Sequence, residues 1–177
     1  MNANSKKRDL GEKFEVNSIY LNFTTPEENG LLLWTSTDGN QKEFLGIGIE
    51  NEKMKFVWSW EGYNTTVVTP NKIIADGVWH DLTIDFELSN VTIWMDGRLV
   101  FVSNETHETD HQLSTNGIFF LGGFPETNEI SNKTHNYFTA GFKGCLQQVK
   151  WGTDLPVYNF TKFTGENIRT CDPFGIT

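Results

Sequence analysis

The chain has 177 residues, enough for one domain that buries a full core without metals or several disulfides. With 14 Phe and 6 Trp, aromatic side chains must fill much of that core. A net charge of −9 disfavours a general nucleic-acid or heparin binder, because such proteins neutralise phosphate or sulfate with clustered cations, though it leaves room for a small basic patch.

Residues 1–12 are polar and are expected to form a flexible N-terminal segment, leaving 13–177 as a single domain. The opening stretch "MNANSKKRDLGEKFEV" lacks the apolar run of a secretory leader, and no apolar run reaches the roughly 18 residues of a membrane span. The chain is therefore expected to be either intracellular or a piece of a larger protein.

From residue 18 onward the period is two. "SIYLNF" alternates Ile19, Leu21 and Phe23 against Ser18, Tyr20 and Asn22. After turn signals at "PEENG" (26–30) and "TDGN" (37–40), "EFLGIGIE" sets Leu45, Ile47 and Ile49 opposite Phe44, Gly46 and Gly48. "KMKFVWSW" places Met54, Phe56, Trp58 and Trp60 on one side. Beyond "ADG" (75–77), "DLTIDFE" and "NVTIWM" repeat the pattern, and Asp96-Gly97 joins the second of these to "RLVFVS". That dipeptide predicts a type I′ hairpin, which needs positive φ at both central positions. "TNG" (115–117) and "GTD" (152–154) mark later turns. Strands spaced this regularly, without helical periodicity, predict an all-β antiparallel sandwich with helix content below about 10 %.

Motifs for catalysis are weak. "HETDH" (His107, Glu108, His111) matches the zincin pattern, in which two His on one helix face bind zinc and the Glu activates water. Its flanks, "VSNET" and "QLSTNG", offer no apolar stripe to dock a helix, so it reads as a polar loop and zinc hydrolysis as a remote alternative. His80, in "DGVWHDL", reads as structural or solvent-facing. No nucleophile elbow, phosphate loop or Cys-x-x-Cys pair occurs. The chain is expected not to be an enzyme.

Asn-x-Ser/Thr occurs at Asn22, Asn64, Asn90, Asn104, Asn132 and Asn159. Chance would give roughly three in so Asn- and Thr-rich a chain. This excess favours a secreted protein or ectodomain. Asn22 is mid-strand with its side chain expected outward, whereas Asn64 and Asn104 lie beside turns. The chain's two cysteines, Cys145 and Cys171, read as one disulfide in an exported protein and as two reduced thiols in a cytosolic one.

The order of segments resembles a laminin G-like domain, the module of laminins, agrin, neurexins, eyes-shut and Crumbs-type proteins. "NSIYLNFTTPEENGLLLWTS" is similar to the family's opening strand pair and "EFLGIGIENEKMKFVWSW" to its next hairpin. "IADGVWHDLTI", "VTIWMDG", "GIFFLGGFPE" and "FKGCLQQVKW" with Cys171 follow in the family's order, so the likeness covers residues 14–172. It implies a jelly-roll sandwich and, together with the cysteine count, a Cys145–Cys171 disulfide, with Gly144 letting the chain pass closely before Cys145.

The likeness also implies a ligand-binding rim at which many members hold calcium through two side-chain oxygens and two carbonyls. The side-chain positions fall on Glu43 and Ser114, and the carbonyl positions on Trp60 and Gln112; Asp38 and Asn116 stand in neighbouring loops. Glu reaches further than the family's Asp, and Ser is a neutral ligand, whereas Ca²⁺ takes six or more oxygens with negative charge. The expectation is a rim without a required cofactor, with calcium as the alternative. The implied function is non-catalytic recognition of an extracellular glycan or protein, within a larger secreted or cell-surface protein that does not itself span a membrane here. A lipid or steroid pocket between the sheets is the runner-up, opposed by the bulky aromatics.

Overall fold

The computed structural model describes residues 14–37, 43–59, 65–87, 90–103, 113–115, 118–152, 157, 158, 160 and 171. These form strands β1 (Phe14–Val16), β2 (Ser18–Thr24), β3 (Gly30–Ser36), β4 (Phe44–Glu50), β5 (Lys53–Ser59) and β6 (Thr65–Val68), then β7 (His80–Glu87), β8 (Asn90–Met95), β9 (Arg98–Val102), β10 (Leu113–Thr115), β11 (Phe119–Leu121) and β12 (Cys145–Trp151). One short helix, α1 (Ile130–Lys133), follows a 3-10 turn at Thr127–Glu129. Two five-stranded antiparallel sheets face each other, ordered β11-β3-β4-β5-β6 and β12-β2-β7-β8-β9, and β1 pairs with β10. The expected jelly-roll sandwich is the architecture found.

The alternating residues meet between the sheets. Ile19, Leu21 and Phe23 of β2 and Leu82, Ile84 and Phe86 of β7 pack against Leu45, Ile47 and Ile49 of β4 and Met54, Phe56 and Trp58 of β5. The aromatics leave the interior filled rather than open: Phe23, Phe56 and Trp58 are all essentially inaccessible to water. Two tight turns fix the register. Asp96-Gly97 has φ of 50° and 70°, the type I′ geometry expected, and joins β8 to β9. Asn51-Glu52, with φ of 51° and 67°, joins β4 to β5 in the same way. The second turn lacks the usual glycine, so residue type alone did not mark it.

The other face of β3-β4-β5 is buried too. Leu31, Trp34, Phe44 and Val57 form a second cluster with Phe124, Ile130 and Phe138, carried by the 119–142 segment that folds over this sheet. Gly46 and Gly48 make room for it. A Cβ on Gly46 would come within 2.7 Å of the Trp34 ring and 2.8 Å of the Phe138 ring, and one on Gly48 would overlap the Phe138 ring. Thr134 holds the segment's turn together: its hydroxyl donates to the Ile130 carbonyl (2.7 Å) and accepts the Phe138 N–H (3.2 Å). Lys55 fastens the same segment to β5. It is almost wholly buried, and its ammonium donates to Glu50 Oε1 (2.7 Å) and the Tyr137 carbonyl (3.0 Å), above the Phe138 ring.

Cys145, the first residue of β12, is disulfide-bonded to Cys171 with Cα atoms 5.8 Å apart. Gly144 precedes it because nothing larger fits: a Cβ there would strike the Thr24 carbonyl and stand 2.7 Å from the Phe142 ring. β12 then runs beside β2, from Cys145 opposite Thr24 to Trp151 opposite Ile19.

Candidate functional site

The rim suggested by the sequence lies at one end of the sandwich. There β3 ends, β4 begins, β5 ends and β6 begins, in a continuous row of partners: Ser36 opposite Phe44, Phe44 opposite Ser59, and Ser59 opposite Thr65. Glu43 stands immediately before β4, half-buried, and its carbonyl accepts the Thr37 N–H at 3.0 Å. Ser114 is central in β10, opposite Glu15 of β1, and β10 comes up against β4. The backbone thus carries the Glu43 and Ser114 positions on neighbouring elements. Trp60, Gln112, Asp38 and Asn116 lie outside the described residues, as do His107, Glu108 and His111 of the zincin-like motif.

An aromatic group that the sequence did not single out adjoins Glu43. Phe44 stacks on Trp34 with ring centroids 5.1 Å apart, and the His135 ring lies 5.1 Å from Phe44. Tyr137 completes the group at 6.0 Å. His135 and Asn136 hold φ of 51° and 64°, so the turn after α1 projects His135 outward over the β4 face. His135 and Tyr137 come from a polar stretch without periodicity, and only the folding of 119–142 onto the sheet brings them to Phe44.

The opposite end carries a polar network built on His80, the first residue of β7. The ring is 5 % exposed and lies between two carboxylates, with Nδ1 3.0 Å from Asp96 Oδ2 and Nε2 3.1 Å from Asp76 Oδ1. Asp96 also pairs with Lys72 and accepts the Asp81 N–H at 2.9 Å. Burial alone would push the Asp96 carboxyl up, but the hydrogen bonds from Lys72, His80 and the Asp81 N–H outweigh it and hold the group at about 2. Asp76 is lowered chiefly by the Val78 N–H, which donates to Oδ1 at 2.9 Å, and further by His80. Asp81 accepts from the Tyr20 hydroxyl (2.7 Å) and Asn22 Nδ2 (2.6 Å). Burial, then this bond and the Asp81 charge, raise Tyr20 to about 12. The Asp-Gly-x-Trp-His segment and the Asp-Gly turn therefore serve one structural purpose: they lock the β7 entry to the β8–β9 turn. His80 is structural, and every carboxylate around it is engaged as an acceptor.

Among the candidate glycan acceptors, Asn90 and Asn132 are exposed. Asn22 does face outward from β2, but it is half-buried, its Nδ2 is engaged by Asp81, and its Oδ1 is buried. Asn64, Asn104 and Asn159 lie outside the described residues. Among the described residues no group of three or more His, Cys, Asp or Glu side chains is placed to hold a metal ion, and no helix is long and apolar enough to cross a membrane.

Comparison with known proteins agrees with this architecture. The chain is similar to protein eyes shut of Drosophila melanogaster, at 31 % identity over 186 residues, covering 91 % of this chain and 8 % of that protein. It is similar to human usherin at 27 % identity, covering 76 % of this chain and 3 % of that protein. The chain thus spans only a small part of the length of these relatives. Among solved structures, the mouse laminin alpha1 chain, domains LG4-5, superposes with a TM-score of 0.66 at 17 % identity, over 86 % of this chain and 40 % of that one. The laminin G domain model matches residues 23–153, from the third core residue of β2 to just past the end of β12. With both sheets, the intervening turns and the Gly144–Cys145 entry inside or abutting that match, this chain belongs to the laminin G domain family.

Proposed function

We propose that this domain is a non-catalytic, extracellular recognition module, part of a larger secreted or cell-surface protein, which binds a glycan or a protein partner at the β3–β4–β5–β6 end. The observation that carries this reading is that the exposed His135 ring and the half-buried Tyr137 ring lie over the buried Phe44 at that end, with Glu43 next to Phe44 in the chain. A pyranose or a partner side chain is held by such a set through stacking on a ring and hydrogen bonding to the carboxylate. Family membership supports a binding role, and the Cys145–Cys171 disulfide supports an oxidising compartment.

Calcium fits this rim poorly. One carboxylate at Glu43 and a neutral hydroxyl at Ser114, even with two carbonyls, fall short of the oxygens and negative charge that Ca²⁺ takes. Ligand is therefore held by direct polar and aromatic contacts. A glycan array run with calcium and then with chelator tests both points. Signal that survives chelation and is lost in Glu43→Ala is the expected result. Signal that requires calcium, with a melting temperature that calcium raises in the native domain but not in Glu43→Ala, would restore a metal-dependent rim.

A further inference from the structure

The two sheets differ on their outer faces. That of β3-β4-β5 is covered by the 119–142 segment. On the other sheet, Tyr20, Thr83, Trp94 and Leu99 form one cross-strand row, and Asp85, Thr92 and Val102 form the next. Trp94, Leu99 and Val102 are 39 %, 50 % and 44 % exposed, and no described segment lies over them. Soluble proteins rarely leave such a strip bare without a use for it.

The same strand carries a sequon. Asn90, Thr92 and Trp94 alternate along β8 and point to the same side, away from the core residues Val91, Ile93 and Met95. Asn90 is exposed and begins the strand. With a rise of about 3.4 Å per residue, Thr92 is ~7 Å and Trp94 ~14 Å along the strand from Asn90. Val102 lies directly across from Thr92.

We propose that Asn90 is N-glycosylated and that its glycan, rather than another protein, covers the Trp94–Leu99–Val102 strip. The inference rests on the exported reading given above. In the transfer step the donor is an oligosaccharide linked to a lipid pyrophosphate. Asn90 Nδ2 forms a bond to the sugar's anomeric carbon as that carbon's bond to the pyrophosphate oxygen breaks. The lipid pyrophosphate leaves with the electron pair, and the amide gives up one proton. The first sugar then lies over Thr92 and Val102 and the next ones reach Trp94, where the apolar face of a pyranose stacks on the indole while Thr83, Thr92 and Asp85 meet sugar hydroxyls. Asn22, on the same face, is a poorer acceptor, because its amide is already committed to Asp81.

The test uses the full chain exported through the secretory pathway of cultured animal cells, beside Asn90→Gln and Thr92→Val, which remove the sequon from either end. Peptide mapping reads occupancy, and hydroxyl-radical footprinting reads the exposure of Trp94, Leu99 and Val102, with exposed Val67, on β6 of the other sheet, as an internal control. Expected are an occupied Asn90 and loss of Trp94, Leu99 and Val102 labelling relative to both variants, with Val67 unchanged. An unmodified Asn90 in protein glycosylated at other sequons would overturn this inference and leave the exported reading intact. So would an occupied Asn90 with Trp94 labelled equally in all three proteins. A Trp94 protected in both variants by self-association would make a second copy of the chain the occupant, against the proposal. No occupied sequon at all would overturn the exported reading as well.

Discussion

Asp96 shows how much a turn residue can do. Its positive φ closes the β8–β9 hairpin, while its carboxylate gathers Lys72, His80 and the Asp81 N–H. Its folded value near 2 lies below the ordinary 3.8, so the contribution to stability is fully present above about 3.8 and is lost as pH falls through 2. Asp76 acts in the same direction. Because the Asp96 side chain is about one-third exposed, screening reduces the effect to roughly 1 kcal/mol. Denaturant unfolding at a series of pH values should show stability level near neutrality and falling between about pH 4 and pH 2. In Asp96→Asn that acid limb should flatten, and neutral stability should drop. Gly144 is a residue-scale constraint of a different kind. Gly144→Ala drives a methyl into the Thr24 carbonyl, a backbone atom that cannot move without shifting the β2–β12 pair. A loss of about 1–3 kcal/mol in chemical unfolding is expected, without change in the fold by circular dichroism.

At the scale of elements, β4 is the informative strand. Its inward face, Leu45, Ile47 and Ile49, followed directly from alternation. Its outward face, Phe44, Gly46 and Gly48, is buried as well, against Trp34 and Phe138. Two glycines at alternate positions of an apolar strand signal close approach by another group, and that was the available clue. What approaches was not legible, because Phe124, Ile130 and Phe138 are spread through a polar segment with neither period two nor period 3.6. Phe138→Ala should cost about 3–5 kcal/mol, because both glycines leave the cavity no side chain with which to refill. Hydrogen exchange should then show the Ile130–Phe138 turn opening before β2 and β7, since the main core lies on the far side of the sheet. Equal loss of protection throughout would contradict this separation of the two clusters.

At the scale of the whole molecule, the disulfide ties the start of β12 to Cys171, 26 positions later. The chain-entropy model assigns a loop of this length roughly 3.5 kcal/mol, by restricting the unfolded chain. Cys145→Ala with Cys171→Ala should lower unfolding stability by about that amount, with the sheets retained, because Val149 and Trp151 of β12 still pack on the core. A double variant as stable as the native chain would show that the bond constrains little.

Local patterning determined the all-β class, the inward residues of β2, β4, β5, β7 and β8, and the Asp96-Gly97 hairpin. Each depends on a period of two or on a turn chemistry spanning a few residues. The cysteine pair and the order of motifs identified the laminin G-like family. Tertiary structure alone decided the second hydrophobic cluster, the His80 network, the aromatic group beside Glu43, and the contrast between a covered and an open sheet face. Those features join residues far apart in the chain: Asp76 and His80 meet Asp96 only after β7 and β8 pair, and His135 reaches Phe44 only after 119–142 folds over β4. The period of a strand records which side faces a core, but it carries no information about which distant segment will cover the other side.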